Sequence, residues 1–465
     1  MYRFAYLPLV CLLCGCVKYH SDPLDPPRLE QSYYSRSLAD PGLRAFVQEN
    51  SVAKPSAWPP AELNLATLTL IALYYSPELD LARAHLQTAE AQVITAGGRP
   101  NPFVSFGAGY TNSPESPVVA HFDPSLTLIT AGKRGYQILA AQKRAASAYL
   151  EISEAEWHVH SNVRNAWLNY LAARRSLDLL NREQKVRAAS VHIVTARLAV
   201  GEASRPDVEA ERAGLAEAEV ATRAAEGVAA QNLASLAAVA GVPVSAIENA
   251  RFADPPAPPT EASLALGPLQ RTGLLNRIDI RRSLLDYEAA EAALHLEIAR
   301  QYPDIDVSPG YSFDEGHHKF TFGPGFPVPM LNRNRGPIAE AEGRRAEAKA
   351  QFIVLQAQAI GEMEKALAAY RTARAELASA QDRLRTLQQT REQGVLRRVE
   401  VGEADQLGLA GARLQSNLAG QIVLDAWRKS EAALGALEDA VQRPLEAGLP
   451  ALPISAPQPK GTDKR

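Results

Sequence analysis

The tetrapeptide Val200-Gly201-Glu202-Ala203 decides the fold of this chain, because it returns as Val401-Gly402-Glu403-Ala404, 201 positions later. A glycine precedes each copy at the same distance: Gly135 and Gly336 each lie 65 residues before the valine. Residues 136–200 contain neither glycine nor proline and are rich in alanine, leucine, glutamate, glutamine and arginine. These residue types favour helix, so the sequence predicts an uninterrupted helix leading to the first tetrapeptide.

A helix of that length would extend about 100 Å at a rise of ~1.5 Å per residue, far beyond the needs of a globular core. A second helical run follows each tetrapeptide, at 205–240 and at 405–442. Each tetrapeptide is therefore predicted to form the tip of a long helical hairpin. Two hairpins of matched length indicate a duplicated architecture, with structural repeats over 62–243 and 271–443 and a proline-rich linker, 244–270, between them.

Composition excludes several classes of protein. The 465 residues include 49 basic and 52 acidic side chains, and the net charge of −3 gives no electrostatic reason to expect a nucleic-acid partner. No run of about 18 apolar residues occurs, so the sequence predicts no transmembrane helix. No phosphate-binding loop, metal-ligand cluster or nucleophile–base arrangement is recognisable, so we expect neither an enzyme nor a cofactor.

The three cysteines, Cys11, Cys14 and Cys16, all lie near the N-terminus. The preceding stretch is apolar after Arg3, and Leu13-Cys14-Gly15-Cys16 resembles a bacterial lipobox. That resemblance implies a signal peptide over 1–15 and a lipidated Cys16, and the next residue, Val17, favours sorting to the outer membrane. The alternative is a plain signal peptide with incidental cysteines. Residues 16–61 are predicted to be an extended, lipid-anchored tether and 444–465 a proline-rich tail.

Four segments, near 103–110, 120–129, 304–313 and 320–323, alternate between apolar and polar or small residues. The third is the clearest, with apolar residues at odd positions and polar or glycine residues at even positions, from Asp304 to Phe313. Segments of about ten residues with this dyad pattern are typical of transmembrane strands, although two small hairpins packed on helices would show it too. Four strands cannot close a barrel, and open edges are not tolerated in lipid, so several chains must share one.

The order of these motifs resembles the outer-membrane efflux protein family typified by TolC, and most closely its CzcC-like branch for heavy-metal efflux. The similarity covers about 62–442 and includes Arg99-Pro100-Asn101-Pro102, Ala131-Gly132-Lys133-Arg134-Gly135, Pro327 to Gly336 and the two tips. It implies a mainly α fold with a small β part, in which a homotrimer forms a 12-stranded barrel in the outer membrane and a coiled-coil helical tunnel in the periplasm. It also implies a periplasmic adaptor and a proton-driven inner-membrane RND pump as partners.

The tips are the predicted adaptor-docking sites. A glycine there lets the chain turn and lets a partner backbone approach, although a plain turn would need the same residue. The predicted docking residues are Val200, Gly201, Ala203, Val401, Gly402 and Ala404.

Acidic residues near the tips are candidates for a periplasmic gate, since rings of acids narrow the tunnel in the family. The sequence departs from a strict repeat here: Asp207 in the first half corresponds to Gly408, and the nearest acid in the second half is Asp405. A ring of either carboxylate would favour cations. The alternative is an acid that merely complements a helix start. Asp304 and Asp306 are predicted to face the water-filled lumen of the barrel.

Histidines give no metal site. His158 and His160 point to different faces of a helix, and His317-His318 is placed in a surface turn. The family resemblance implies a passive efflux conduit, for heavy-metal cations by similarity to one branch. Efflux of drugs or organic solutes, a type I secretion channel and a structural coiled-coil lipoprotein spanning the periplasm are the alternatives.

Overall fold

The computed structural model describes residues 18–52, 57–112, 117–259 and 264–445. The predicted signal peptide, Cys16 and most of the predicted tail lie outside these residues. In chain order the elements are α1 (Pro26–Tyr34), α2 (Pro41–Asn50), β1 (Glu62–Leu63), α3 (Leu65–Tyr75), α4 (Pro77–Ala96), β2 (Phe103–Tyr110), β3 (Val118–Leu128), α5 (Lys133–Ala199), α6 (Arg205–Val239), β4 (Arg251–Phe252), α7 (Leu266–Asn276), α8 (Ile278–Ala299), β5 (Ile305–Asp314), β6 (His317–Gly325), α9 (Arg335–Ser379), α10 (Thr386–Glu400) and α11 (Gln406–Val441).

The duplication predicted from the tetrapeptides is visible in the order of elements. Each half consists of two helices, a pair of strands and a long helical hairpin, α5–α6 in the first half and α9–α10–α11 in the second. The long helices begin slightly earlier than the sequence indicated, so Gly135 and Gly336 lie in their first turns rather than before them. The mainly helical fold with a small sheet is confirmed.

Two helical stretches are interrupted. Helices α3 and α4 are separated at Ser76, whose extended backbone (ψ 115°) precedes Pro77 and whose hydroxyl caps α4. Proline disfavours a helical conformation in the residue before it, which accounts for the break. The long helix of the second repeat contains a widened, π-helical turn, Ala380–Arg385, between α9 and α10.

The N-terminal segment is not the extended tether that the sequence suggested. Proline residues open both α1 and α2, where a missing N–H costs nothing, and Asp25 and Asp40 cap the two helices. Leu43 and Val47 of α2 are completely buried against α3. Arg36 donates to the carbonyl oxygen of Gly241 at 2.7 Å, so the segment packs on the end of the first hairpin of its own chain.

The strands form one antiparallel sheet in the order β2–β3–β5–β6. Glu315 and Gly316 join β5 to β6 with φ angles of +51° and +78°, the left-handed pair typical of a two-residue hairpin turn. His317 and His318 are therefore not in the turn, as predicted, but begin β6 opposite Asp314 and Phe313. Within the described chain, β2 and β6 are edge strands that pair on one side only.

The helices pack in a row, α6 on α5, α5 on α11, and α11 on α9 and α10. Three apolar clusters among the described residues hold this row together. The largest lies where α2, α3 and the end of α6 meet the middle of α5, around Trp167, and the second joins α7, α9 and α11 around Met363 and Leu437. The smallest joins the end of α9 and the turn after it to α11, through Leu377, Ala380, Val423 and Ala426. The linker is only partly irregular: β4 pairs in parallel with β1, and α7 begins at Leu266, before the predicted boundary. No helix among the described residues is long and apolar enough to cross a membrane.

Candidate functional site

Both hairpin tips end their first helix in the same way. Gly201 and Gly402 have φ angles of +82° and +80°, which favour glycine over any residue with a side chain. At the first tip, Glu202 N–H donates to the carbonyl oxygen of Arg197 at 2.8 Å and Gly201 N–H to that of Leu198 at 3.1 Å. The second tip repeats both bonds one repeat later. This pattern is the Schellman motif, so helix termination alone explains the two glycines.

The residues around these glycines differ in exposure in the same way at both tips. Val200 and Val401 are 71% and 70% exposed, whereas Ala203 and Ala404 are half-buried. An added Cβ at Gly201 or Gly402 would meet no atom within 4 Å. Each tip therefore presents an apolar valine and an open stretch of backbone to its surroundings. The docking role of the six tip residues stays a prediction.

Asp207 is held by the start of its own helix. Its carboxylate accepts from the backbone N–H of Ser204 at 2.8 Å and from the Ser204 hydroxyl at 2.6 Å, while Ser204 caps α6 in return. These two hydrogen bonds lower the pKa of Asp207. The arrangement is a capping box, in which the acid satisfies an otherwise unpaired backbone donor.

Asp405 makes two contacts at the other tip. It is the N-cap of α11, accepting from Gly408 N–H at 2.6 Å, and its second oxygen lies 2.8 Å from Arg197 Nη2 at the end of α5. Arg197, and then the Gly408 amide, lower the pKa of Asp405. This ion pair joins the end of the first helix of one hairpin to the start of the second helix of the other. Arg197 had no signal in the sequence, because its partner is 208 residues away.

A second set of contacts joins the sheet to the long helix. Lys133, at the start of α5 and almost buried, lies 2.7 Å from Asp304, which also accepts from Thr130 N–H at 2.9 Å. Arg134 donates to the carbonyl oxygen of Gly97 at 2.7 Å. The predicted motif around Gly132 is thus a strand-to-helix junction, and Gly132 itself takes the left-handed conformation before α5. The charge of Asp304 is balanced locally by Lys133.

Strand register sorts the side chains of the sheet onto two faces. Phe106 lies opposite Phe122, with ring centroids 5.0 Å apart, and Tyr311 lies opposite Phe320 at 5.3 Å. The alternate positions carry the polar side chains: the His121 imidazole covers Gly107, and Asp123 and Thr321 cover Gly310. Asp306 is exposed on this polar face and accepts from the Thr127 hydroxyl. One face of the sheet is therefore aromatic and aliphatic, and the other polar. Whether Asp304 and Asp306 line a lumen stays a prediction.

The histidines form no metal cluster. No group of three or more histidine, cysteine or acidic side chains within the described ranges could hold a metal ion. His160 is buried beside Trp157 and its Nδ1 lies 3.2 Å from the Thr69 hydroxyl. Burial first, and then Arg164, lower the pKa of His160 to about 3. It is a neutral core residue.

The chain combines two features. One is an open sheet with an apolar and a polar face, and the other is a pair of long helical hairpins of matched length. The model of the family Outer membrane efflux protein matches residues 70–242 and 270–441, and the chain belongs to this family. It resembles the TolC-like outer-membrane factors, which are channels and not enzymes.

Individual relatives agree with this assignment. The chain is 24% identical over 281 residues to the cobalt-zinc-cadmium resistance protein CzcC of Cupriavidus metallidurans, an alignment that covers 59% of this chain and 65% of CzcC. The chain thus spans just under two thirds of that relative. It is 27% identical to protein CyaE of Bordetella pertussis, covering 73% of this chain and 76% of CyaE.

A solved structure shows the same fold. The outer membrane protein VceC of Vibrio cholerae superposes with a TM-score of 0.67, covering 82% of this chain and 97% of VceC. The two chains are 20% identical, so this likeness shows the fold alone.

Proposed function

We propose that this chain is the outer-membrane channel of a tripartite efflux system, a passive conduit for heavy-metal cations that runs from a periplasmic adaptor to the exterior. The observation that carries the proposal is the pairing of a two-faced sheet with duplicated, separately capped hairpins. The apolar face suits lipid, the polar face suits water, and the hairpins extend the conduit away from the sheet. Transport is powered by an inner-membrane RND pump.

The active form is a homotrimer. Strands β2 and β6 each carry a row of backbone groups without a partner in the described chain, and such edges are not tolerated in lipid. Three copies joined edge to edge supply twelve strands and bring the hairpins together as a tube. A native mass of three chains, with β2 cross-linking to β6 of a neighbouring copy through introduced cysteines, supports closure. A monomer or a dimer contradicts it.

The hairpin tips dock on the adaptor through their exposed valines. Val200→Asp and Val401→Asp place a charge where an apolar contact forms, and both side chains are too exposed to affect folding. We expect each variant to lose co-purification with the adaptor and to lose resistance in cells. Val220→Asp, at a side chain 69% exposed on α6, is the matched control and retains both. Docking at the tips is contradicted if the two tip variants bind the adaptor as well as the Val220→Asp control does.

The gate lies at the same end, where Arg197 and Asp405 tie the two hairpins together. Asp207 adds negative charge at the neighbouring helix start, and rings of such carboxylates favour cations. Lipidation of Cys16 anchors the chain to the outer membrane.

The cargo is tested by growth of a deletion strain on zinc, cobalt, cadmium, nickel, copper and silver salts, beside antibiotics, dyes and bile salts. The proposal expects sensitivity confined to metal ions, restored by the wild-type chain. Sensitivity confined to organic compounds overturns the metal cargo and leaves the channel standing. Ion conductance by the purified protein in a planar bilayer tests the channel itself, and the absence of conductance favours a purely structural protein.

A further inference from the structure

An arginine-lined hollow lies on the helical row between α5, α10 and α11. Its volume is about 520 Å³, within the range of about 300–1,000 Å³ typical of small-molecule sites. Three helices contribute to its wall, so their packing fixes its shape. Asn417 of α11 is buried and donates to the carbonyl oxygen of Leu179 on α5 at 3.1 Å, and Gly420 allows Leu179 to approach closely. We call this site the arginine hollow.

Positive charge dominates its polar wall. Arg175, Arg182, Arg385 and Arg413 line the hollow, against two acids, Asp178 and Glu392. Two of the four guanidinium groups have partners, since Arg175 pairs with Asp254 at 2.7 Å and Arg413 lies 3.8 Å from Glu392.

The other two arginines carry no ion pair. Neither Arg182 nor Arg385 makes a salt bridge or side-chain hydrogen bond to any residue that the structure describes. Asp178 and Glu392 offset only part of the positive charge of the four arginines, and an anion would relieve the remaining repulsion. Side-chain amides of Gln381, Gln389 and Asn417 add hydrogen-bond donors to the same wall.

The widened turn brings part of this wall into place. Gln381 and Arg385 both belong to the turn Ala380–Arg385, and both line the hollow. The corresponding part of the first repeat is ordinary helix, although the residue count from glycine to tip is the same in both repeats. The widening is thus specific to the second repeat and to the helix that borders the hollow. Single π-helical turns occur frequently at functional sites.

The remaining wall is apolar. Val186 and Leu179 on α5 and Val423 and Leu424 on α11 line it, with Trp427 at one end beneath the guanidinium of Arg175, 4.0 Å from the ring centroid. A ligand that fills the hollow therefore needs an apolar body and an acidic head. Planar guanidinium groups match the paired oxygens of carboxylate, sulfonate and phosphate better than other side chains do.

We propose that the arginine hollow binds small amphiphilic organic anions, with the acidic group between Arg182 and Arg385 and the apolar body against α11. This site is separate from the tips and the sheet, and it does not depend on which cargo the channel carries. It gives the helical wall an affinity for organic anions that a conduit for metal cations would not need.

Binding is measured by calorimetry on the full-length protein in nanodiscs, with 2-naphthalenesulfonate as the probe. The neutral 2-naphthalenemethanol is the matched ligand control. We expect the sulfonate to bind saturably and to quench the fluorescence of Trp427, and the alcohol to bind at least about tenfold more weakly, because it lacks the charge-assisted hydrogen bonds. Equal binding of the two probes overturns the proposal.

Variants locate the site. Arg182→Gln and Arg385→Gln each weaken sulfonate binding by about tenfold or more, while Arg391→Gln, an exposed arginine of α10 outside the hollow, leaves it unchanged. Trp427→Phe retains binding and loses the quenching. Unfolding temperatures within a few degrees of wild type show that the variants fold. Unchanged affinity in both folded arginine variants overturns the assignment, as does a loss of affinity in Arg391→Gln equal to theirs. Growth on metal salts is scored separately, so a failed binding test leaves the proposed efflux function standing.

Discussion

The ion pair between Arg197 and Asp405 provides a sharp test of the proposed gate, because it joins the two hairpins at their tips. The side chains are 31% and 51% exposed, with Nη2 and Oδ2 2.8 Å apart. An exposed pair of this kind contributes about 0.2–1 kcal/mol. Present three times in a homotrimer, it amounts to about 0.6–3 kcal/mol, which corresponds to roughly a 3- to 150-fold change in the ratio of joined to separated tips.

The choice of substitution distinguishes the effect of losing the ion pair from the effect of losing the helix cap. Asp405→Asn removes the charge and keeps an oxygen for the Gly408 amide, since asparagine caps helices about as well as aspartate. Arg197→Ala removes the other partner and leaves the cap untouched. Asp405→Ala would add a capping loss of about 1 kcal/mol and confuse the two effects.

The assay is single-channel recording in planar bilayers. Arg197→Ala and Asp405→Asn each raise the open fraction, and the double variant behaves like either single variant, because all three lack the same contact. Arg212→Ala, which breaks a pair with Glu209 inside α6, is the control and leaves opening unchanged. Full additivity in the double variant, or no change in either single variant, refutes the reasoning.

The pH dependence of this gate follows from the direction of the pKa shift. Arg197 and the Gly408 amide lower the pKa of Asp405 in the folded chain. The stabilisation is therefore present above the ordinary carboxyl range and is lost only as pH falls through the lowered pKa. We expect the open fraction of the channel to stay constant between about pH 5 and 8.

Three further predictions concern packing, anchoring and acid stability. Gly435→Ala places a Cβ 2.6 Å from the buried Arg164, and it lowers the free energy of unfolding by about 1–3 kcal/mol in thermal unfolding. The control Gly411→Ala, in the same helix, meets no atom within 4 Å and raises the free energy of unfolding by about 1 kcal/mol. Cys16→Ala abolishes acylation, so the mass of the added lipid disappears from the intact-protein mass spectrum. A wild-type protein that carries no added lipid mass rules out lipidation. His160 stays neutral in the fold, so the free energy of unfolding falls by about 1.6 kcal/mol from pH 6.5 to 5 as the unfolded chain gains its proton. His160→Asn flattens this pH dependence, and an unaltered slope contradicts the assignment.

The sequence alone determined the features that depend on neighbours within a few residues. The repeated tetrapeptides located both tips, because a helix ends where a glycine can take a positive φ. Alternation located the strands, and the absence of glycine and proline gave the length of α5. The break at Ser76 is also local, because Pro77 disfavours a helical conformation in the residue before it.

Only the tertiary structure decided which distant residues meet. Strand register placed Asp306 with the polar side chains of β3, and packing of the helical row brought Arg197 to Asp405 and Lys133 to Asp304. The widened turn and its hollow also depend on packing, since the residue count from glycine to tip is the same in both repeats and only the second repeat is widened. Local conformation follows from sterics and hydrogen bonds along a few residues of chain, whereas contacts across 171 or 208 residues depend on how whole elements bury their apolar faces.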